Sequence, residues 1–267
     1  MEFEKTIVIL GPTGSGKTGV AIQIAQEIVQ RAEETTGGEF CGLKGAEIIS
    51  ADSRAIYRGM DIGTAKPSIE EQQGIKHWGL DLVEPGERFT VADWKRYAEG
   101  KIAEVRGREK VPIVAGGTGL YMDALIYDYN FSAQNKLSQE DRRRSAEEIC
   151  SQYLIIGIKW GVEELRQRLT ERTEQMFTQK LYKETEKLVA KYNWDTQAMK
   201  SNIYQFVWSY LQGEVSLERA KELNTYDDWH LAKRQLTWFK RNKNINWLPL
   251  AEVQEFVLKC IQDEQGR

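Results

Sequence analysis

Thr6-Ile7-Val8-Ile9-Leu10-Gly11-Pro12-Thr13-Gly14-Ser15-Gly16-Lys17-Thr18 opens with a β-branched apolar run and closes in the pattern G-x-x-x-x-G-K-[ST], and its reading decides the fold. From Val20 to Val29 apolar residues return at helical spacing, so the chain begins strand, loop, helix, the first half of a βαβ unit. The glycines let successive backbone N–H groups turn inward onto a phosphate, the helix N-terminus adds positive partial charge, and Lys17 supplies a full one. Thr18 offers its hydroxyl to Mg2+. A glycine-rich turn capping a helix accounts for Gly14 and Gly16 but not for the adjoining Lys17 and Thr18. A loop of this kind, shared with ATP-binding and other nucleotide-binding proteins, identifies a diphosphate or triphosphate and not a reaction.

Outward from the loop, short apolar runs recur at Glu47 to Ser50, Leu80 to Val83, Val111 to Ala115 and Tyr153 to Ile158, separated by segments long enough to be crossovers. The pattern predicts an α/β fold: a parallel sheet flanked by helices, of the P-loop NTPase-like kind. Arg31 to Gly45, with glycines and threonines among charges and no periodicity, reads as a surface loop. From Val162 the pattern is mostly helical, with Leu165, Leu169, Met176 and Leu188 on one stripe, and segments around Val207 to Leu211 and Leu231 to Lys240 continue it. The expected organisation is an α/β core over residues 1–160 and a helical, core-packing extension over 161–267.

Composition narrows the class. With 267 residues, 41% hydrophobic and 29% charged, the chain can bury a sizeable core and is not disordered. No window of eighteen apolar residues and no cleavage signature is present, so a cytoplasmic protein with no membrane contact is expected. Cys41, Cys150 and Cys260 lack the close pairing that zinc or a redox motif needs. A net charge of -3 argues against a surface that coats nucleic acid, so a polyanion must meet a local basic patch.

A nucleotide hydrolase would show a second apolar strand ending in an Asp that orders metal and water. Only Glu47-Ile48-Ile49-Ser50-Ala51-Asp52 resembles one, and a parallel sheet would bring Asp52 to the carboxyl ends of the strands, near the phosphate cradle. Asp52 then either touches an acceptor or, with Ser53 beside it, serves as a turn or N-cap residue.

Four blocks together resemble the tRNA dimethylallyltransferase family, also called isopentenyl-diphosphate:tRNA transferases. The first is the loop Gly11 to Thr18; the second runs Ile48-Ile49-Ser50-Ala51-Asp52-Ser53-Arg54-Ala55-Ile56-Tyr57-Arg58-Gly59-Met60-Asp61-Ile62-Gly63-Thr64-Ala65-Lys66-Pro67. The third is Ala115-Gly116-Gly117-Thr118-Gly119-Leu120-Tyr121, preceded by the related stretch His77 to Trp94, and the fourth is Ala232-Lys233-Arg234-Gln235-Leu236-Thr237-Trp238-Phe239. The resemblance implies a loop, Gly11, Pro12, Thr13, Gly14, Ser15, Gly16, Lys17 and Thr18, that grips the diphosphate of a dimethylallyl donor. It implies Asp52 as general base toward an adenine amine, and Lys17, Thr18 with Mg2+, and Arg172 as stabilisers of the leaving diphosphate. Arg172 has a plainer reading as a solvated helix charge between Glu171 and Glu174.

On the acceptor side the family implies contacts to the anticodon stem-loop of tRNA from Asp52, Ser53, Arg54, Ala55, Thr118, Lys233, Arg234, Gln235, Thr237, Trp238 and Lys240, with the chain acting as a monomer. The residues support a polyanion independently: from Trp229 to Ala251 there is no acidic side chain, while Lys233, Arg234, Lys240, Arg241 and Lys243 are present. On a helix Lys233, Lys240 and Arg241 share a face. The alternative is a helix whose Leu236, Trp238 and Phe239 are core and whose charges are merely solvated; Thr118 could likewise be a simple turn residue.

The chain departs from the family where a helical insertion usually follows the Gly-Gly-Thr-x-Leu-Tyr block. Here residues 128–138 run almost at once into Gln139 to Ile149, so that arm is largely absent, with Asp141-Arg142-Arg143-Arg144 as a remnant basic patch or a charged helix start. Trp229 stands where the family commonly has a basic residue. Three rival activities share the loop: a small-molecule or nucleotide phosphotransferase, a prenyltransferase of free adenine nucleotides, and a nucleotide-switched RNA-binding protein.

Overall fold

The computed structural model describes residues 3–129, 131, 144–200 and 202–265. Among them six strands form one sheet in the order β3-β2-β4-β1-β5-β6, with every neighbouring pair parallel. The first strand, β1 (Thr6–Leu10), lies between β4 (Val111–Gly116) and β5 (Tyr153–Lys159), and all five of its residues are buried. Burial on both faces explains why it reads as an unbroken apolar run instead of an alternating one. Next to β4 come β2 (Ala46–Ser50) and the two-residue edge strand β3 (His77–Trp78).

The expected strand at Leu80 to Val83 does not form. Gly79 and Asp81 both have positive φ, which breaks the extended path, so β3 ends at Trp78 and Val83 retains only an isolated bridge to Tyr57. The helix after the loop also runs further than its apolar spacing suggested. α1 spans Lys17–Glu34, because Ala32 is buried and Arg31 pairs with Glu27 one turn back.

Helices cover the sheet on both sides. On one face α1 packs beside α9 (Leu250–Gln265), joining Ile24 and Ile28 to Val253, Val257 and Ile261. The other face holds α2 (Val91–Arg106), α3 (Gly119–Ile126) and the short α4 (Ala146–Gln152), over a core in which fully buried Trp94 stacks on Tyr121 at 4.6 Å. Trp94 also donates its indole N–H to the Ser50 carbonyl, tying α2 to the end of β2. The start of α2 is set by a reciprocal capping box between Thr90 and Asp93.

Four further helices build a third cluster beside the strand ends: α5 (Val162–Met176), α6 (Gln179–Lys191), α7 (Asn202–Leu211) and α8 (Leu217–Phe239). The single stripe expected from Leu165 to Leu188 divides here. Leu165 and Leu169 pack on Ala232 of α8, whereas the chain leaves the helix at Phe177 and Leu188 belongs to α6. Burying a side chain of Leu size stabilises by about 1.5–3 kcal/mol, so the α5–α8 seam is a firm one.

The last part of the chain is not wholly helical. Asn246–Pro249 forms β6, which pairs with β5 and directs Trp247 and Leu248 into opposite core clusters, and α9 then returns to α1. Residues after 245 therefore complete the sheet and its helical layer.

Candidate active site at the carboxyl ends of the strands

The ends of β1, β2 and β4 converge because they are neighbours in a parallel sheet, and the loops leaving them wall one cavity of about 890 Å³. Gly16 precedes α1 in the left-handed region at φ 87°, a conformation that frees the backbone to wrap the loop onto the helix end. Gly116 allows a close approach: a Cβ there would stand 2.2 Å from the Ala51 carbonyl oxygen. That contact sets the Asp52 turn against the start of α3.

Within the cradle, Thr13, Gly14, Gly16, Lys17 and Thr18 line the cavity, while Gly11, Pro12 and Ser15 are buried beneath it. Lys17 Nζ donates to the Pro12 carbonyl at 2.7 Å. Burial pushes the Lys17 ammonium down to about 8, with Asp52 opposing and Arg172 adding to the fall. The Ser15 hydroxyl is fully enclosed without a hydrogen-bond partner. Thr18 Oγ1 has no partner among the described residues either, although it faces the cavity.

Asp52 has two distinct oxygens. Oδ1 accepts the Arg54 and Ala55 backbone N–H groups at 2.7 and 3.4 Å, which is the turn role weighed from the sequence. Oδ2 accepts nothing among the described residues, and Asp52 lines the cavity. One oxygen fixes the side chain and the other is left for chemistry. Thr118 braces the same turn: its hydroxyl accepts the Ser53 N–H at 3.0 Å and donates to Ser53 Oγ at 3.2 Å.

Arg172 is not a solvated helix charge. From α5 it reaches the cradle, where Nη1 donates to Thr13 Oγ1 at 3.1 Å and to Asp228 Oδ2 of α8 at 2.7 Å. Neither Asp228 nor Arg168 was singled out in the sequence. Arg168 Nε donates to the Gly14 carbonyl at 2.9 Å and its guanidinium stacks 4.4 Å from the Trp160 ring, while Trp160 Nε1 donates to the Ser15 carbonyl at 3.0 Å. Both carry only ordinary helical or strand-end signals in sequence, so no spacing rule could have found them.

The fourth block lies along α8, and the structure sorts its residues. Gln235 turns inward: it accepts the Thr13 N–H at 2.7 Å and donates to the Gly117 carbonyl at 2.9 Å, bridging the ends of β1 and β4. Trp238 is half-buried against α3, donating Nε1 to Asp123 Oδ2 at 2.9 Å, with Arg241 stacked 4.0 Å from its ring. Arg234 lines the cavity, and Lys233, Thr237 and Lys240 are exposed outside it. Trp229 sits between cations, 4.6 Å from the Arg166 guanidinium and 5.7 Å from Lys233 Nζ. Arg54, on the cavity wall, is held by the Gln197 carbonyl at 2.7 Å; Ser53 and Ala55 complete that wall.

Residues 141–143 of the basic remnant lie outside the described residues. Arg144 points inward, donating to the Leu125 carbonyl at 2.6 Å and lying over the Tyr153 ring.

A parallel sheet with a phosphate loop after β1, an aspartate turn after β2 and an arginine reaching back from a helical layer defines a P-loop group-transfer protein. The family model described as IPP transferase matches residues 55–152 and 134–242, and the chain belongs to that family. A tRNA dimethylallyltransferase of Acetivibrio thermocellus is 36% identical over 303 aligned residues, covering 92% of each chain, and one of Alkaliphilus oremlandii is 34% identical over 316. The crystal structure of the tRNA isopentenylpyrophosphate transferase of Bacillus halodurans superposes with a TM-score of 0.78 at 27% identity, covering 99% of this chain and 100% of that one. Both alignments exceed the 267 residues of this chain, so the relatives carry residues with no counterpart here. The two family matches overlap at 134–152, where the shortened insertion was expected.

Proposed function

We propose that this chain transfers a dimethylallyl group from dimethylallyl diphosphate to the exocyclic N6 of the adenosine beside the anticodon in tRNA, releasing diphosphate. The observation that carries the reading is the convergence in one cavity of a phosphate cradle, the uncommitted Oδ2 of Asp52, and Arg172. A phosphotransferase would share the cradle, but the family membership and the basic outer face of α8 favour prenyl transfer.

In this reading the donor's diphosphate lies on the loop N–H groups and the Lys17 ammonium. The amine nitrogen bonds to the allylic carbon, the carbon–oxygen bond breaks with its electron pair leaving on diphosphate, and Asp52 Oδ2 takes the N6 proton. Because Oδ1 is pinned by the turn, the base needs no reorganisation when the proton moves. Lys17 and Arg172 oppose the charge gathering on the leaving group.

A Mg2+ ion fits the residues present. Thr18 offers a hard hydroxyl oxygen to the cavity, without a partner among the described residues. Among the described residues no group of three or more acidic, His or Cys side chains could form a metal cage. Mg2+ characteristically takes one or two protein oxygens and completes its shell with substrate phosphates and water. Thr18 would hold it, and the ion would supply neutralisation of the diphosphate charge.

The adenine must leave its stack to reach Asp52, which is least costly in a loop of RNA. Lys233 and Thr237 on the outer face of α8, with Lys240 capping its C-terminus, meet the anticodon stem-loop. One chain supplies every group named, in keeping with action as a monomer. No described helix is long and apolar enough to cross a membrane. A tRNA acceptor is in keeping with work in the cytoplasm.

The test is mass spectrometry of nucleosides from unmodified tRNA incubated with the protein, Mg2+ and dimethylallyl diphosphate, beside a parallel reaction with ATP. Prenyl-adenosine only with the prenyl donor is expected. Phosphate transfer or hydrolysis in the ATP reaction, with no prenylated nucleoside in the other, would move the assignment to a phosphotransferase.

A further inference from the structure

Arg172 spends a single nitrogen on the protein. Nη1 makes both of its hydrogen bonds, to Thr13 Oγ1 in the cradle and to Asp228 Oδ2 on α8. Among the described residues Nε and Nη2 donate none, although Arg172 lines the cavity. A guanidinium anchored at one corner keeps the Nε–Nη2 edge, the side that binds two oxygens of a phosphate in parallel, available and fixed in direction. The anchor is itself held: the Asp228 side chain is only 16% exposed, on the α5–α8 seam where fully buried Leu169 and Ala232 pack and Asn224 donates to Thr173 at 2.9 Å.

We propose that Asp228 is a positioning residue for the transfer reaction: it holds Arg172 by Nη1 so that the Nε–Nη2 edge is presented to the diphosphate of the prenyl donor. Asp228 borders the same cavity, but its role is to hold Arg172 and not to act on the reacting atoms. Without it, Arg172 has only the Thr13 hydroxyl to define its course, and a long, flexible side chain must be ordered at the moment of binding. The carboxylate is therefore expected to act on donor affinity and to act only through Arg172. This inference rests on the proposed transfer reading for its kinetics, but not for its binding test.

The experiment is a double-mutant cycle on the full chain, read in two ways. Calorimetric titration with inorganic diphosphate and Mg2+ gives affinity without turnover; steady-state prenylation of tRNA gives KM for each substrate and kcat. Asp228→Ala is expected to raise the diphosphate Kd and the donor KM about tenfold, with the tRNA KM moving less than about twofold. In an Arg172→Ala background it should add nothing, and Asp228→Asn, whose amide oxygen still accepts from Nη1, should stay within about threefold of the native protein. Should the alanine variant not fold, Asp228→Ser provides the same truncation. Additive losses in the double variant, or tighter diphosphate binding by Asp228→Ala, would overturn the proposal, the latter showing a competitor of the diphosphate instead of a guide. Coupling in diphosphate affinity without any prenylation would leave the positioning role standing and remove the transfer reading; prenylation without coupling would do the reverse.

Discussion

The phosphate loop and α8 are both motif-bearing segments, yet they differ in how their residues are used. In the loop, consecutive residues share one task, so order along the chain is also order in space: Thr13 to Thr18 meet the same cavity apart from buried Ser15. In α8 the 3.6-residue period deals neighbours to different faces, so that Gln235 braces the cradle while Lys233 and Thr237 face outward. A block on a helix is thus several sites interleaved, and each residue has to be tested separately.

The largest effect that could break this division is at Asp52, the proposed base. Asp52→Ala is expected to lower kcat about 10²–10⁴-fold while tRNA binding in a filter or fluorescence assay stays unchanged. Undiminished turnover would return Asp52 to a pure turn role. Next comes Gln235, whose two hydrogen bonds tie the loop to Gly117. Gln235→Ala should raise the donor KM about tenfold and leave the tRNA KM within about twofold. The opposite split would make it an RNA contact and erase the contrast between inner and outer faces of α8.

Smaller still is the effect of the outer charges. Replacing Lys233 and Lys240 together by Gln should weaken tRNA binding several-fold and reduce the salt slope of log Kd by about 2, with kcat unchanged. The subtlest measurement concerns Lys17. Its ammonium is lowered to about 8 chiefly by burial, so near pH 8.5 much of it is neutral; an arriving diphosphate favours the charged form, and binding should take up a fraction of a proton. At pH 6.5 the group is already charged and the uptake should vanish. Titrations in buffers of different ionisation enthalpy check this sign.

Acid acts on the other cation. Burial raises the Asp228 carboxyl above the usual aspartate range, Arg172 opposing and Asp227 adding. It therefore protonates at higher pH than an ordinary aspartate as the solution is acidified, and donor affinity should fall on that limb by no more than the roughly threefold allowed to Asp228→Asn, since the neutral acid keeps an accepting oxygen for Nη1. In Arg172→Ala the limb attributable to Asp228 should be lost.

Much of this was legible because it is local. The β1 run, the cradle and the Asp52 turn are contiguous in the chain, and each obeys a short-range rule. What was hidden depends on distant partners. Gly79 and Asp81 spoil a strand that composition favours, β6 exists only because β5 offers an edge, and Arg168, Trp160 and Asp228 matter through what folding sets beside them. Arg172 shows the intermediate case: the resemblance pointed to it, but only the approach of α5 to the loop distinguishes a cradle arginine from a solvated one.

The strut from Gln235 to Thr13 spans a sequence separation of 222 residues. At roughly 5–20 residues per second of synthesis, tens of seconds pass between the emergence of the loop and that of its brace. For that interval the nascent chain carries its phosphate motif without the scaffold that fixes it. A chain that stopped short of α8 would carry the whole cradle motif and neither of the hydrogen bonds by which Gln235 ties it to Gly117, so the motif and its brace are separate in time although they are joined in space.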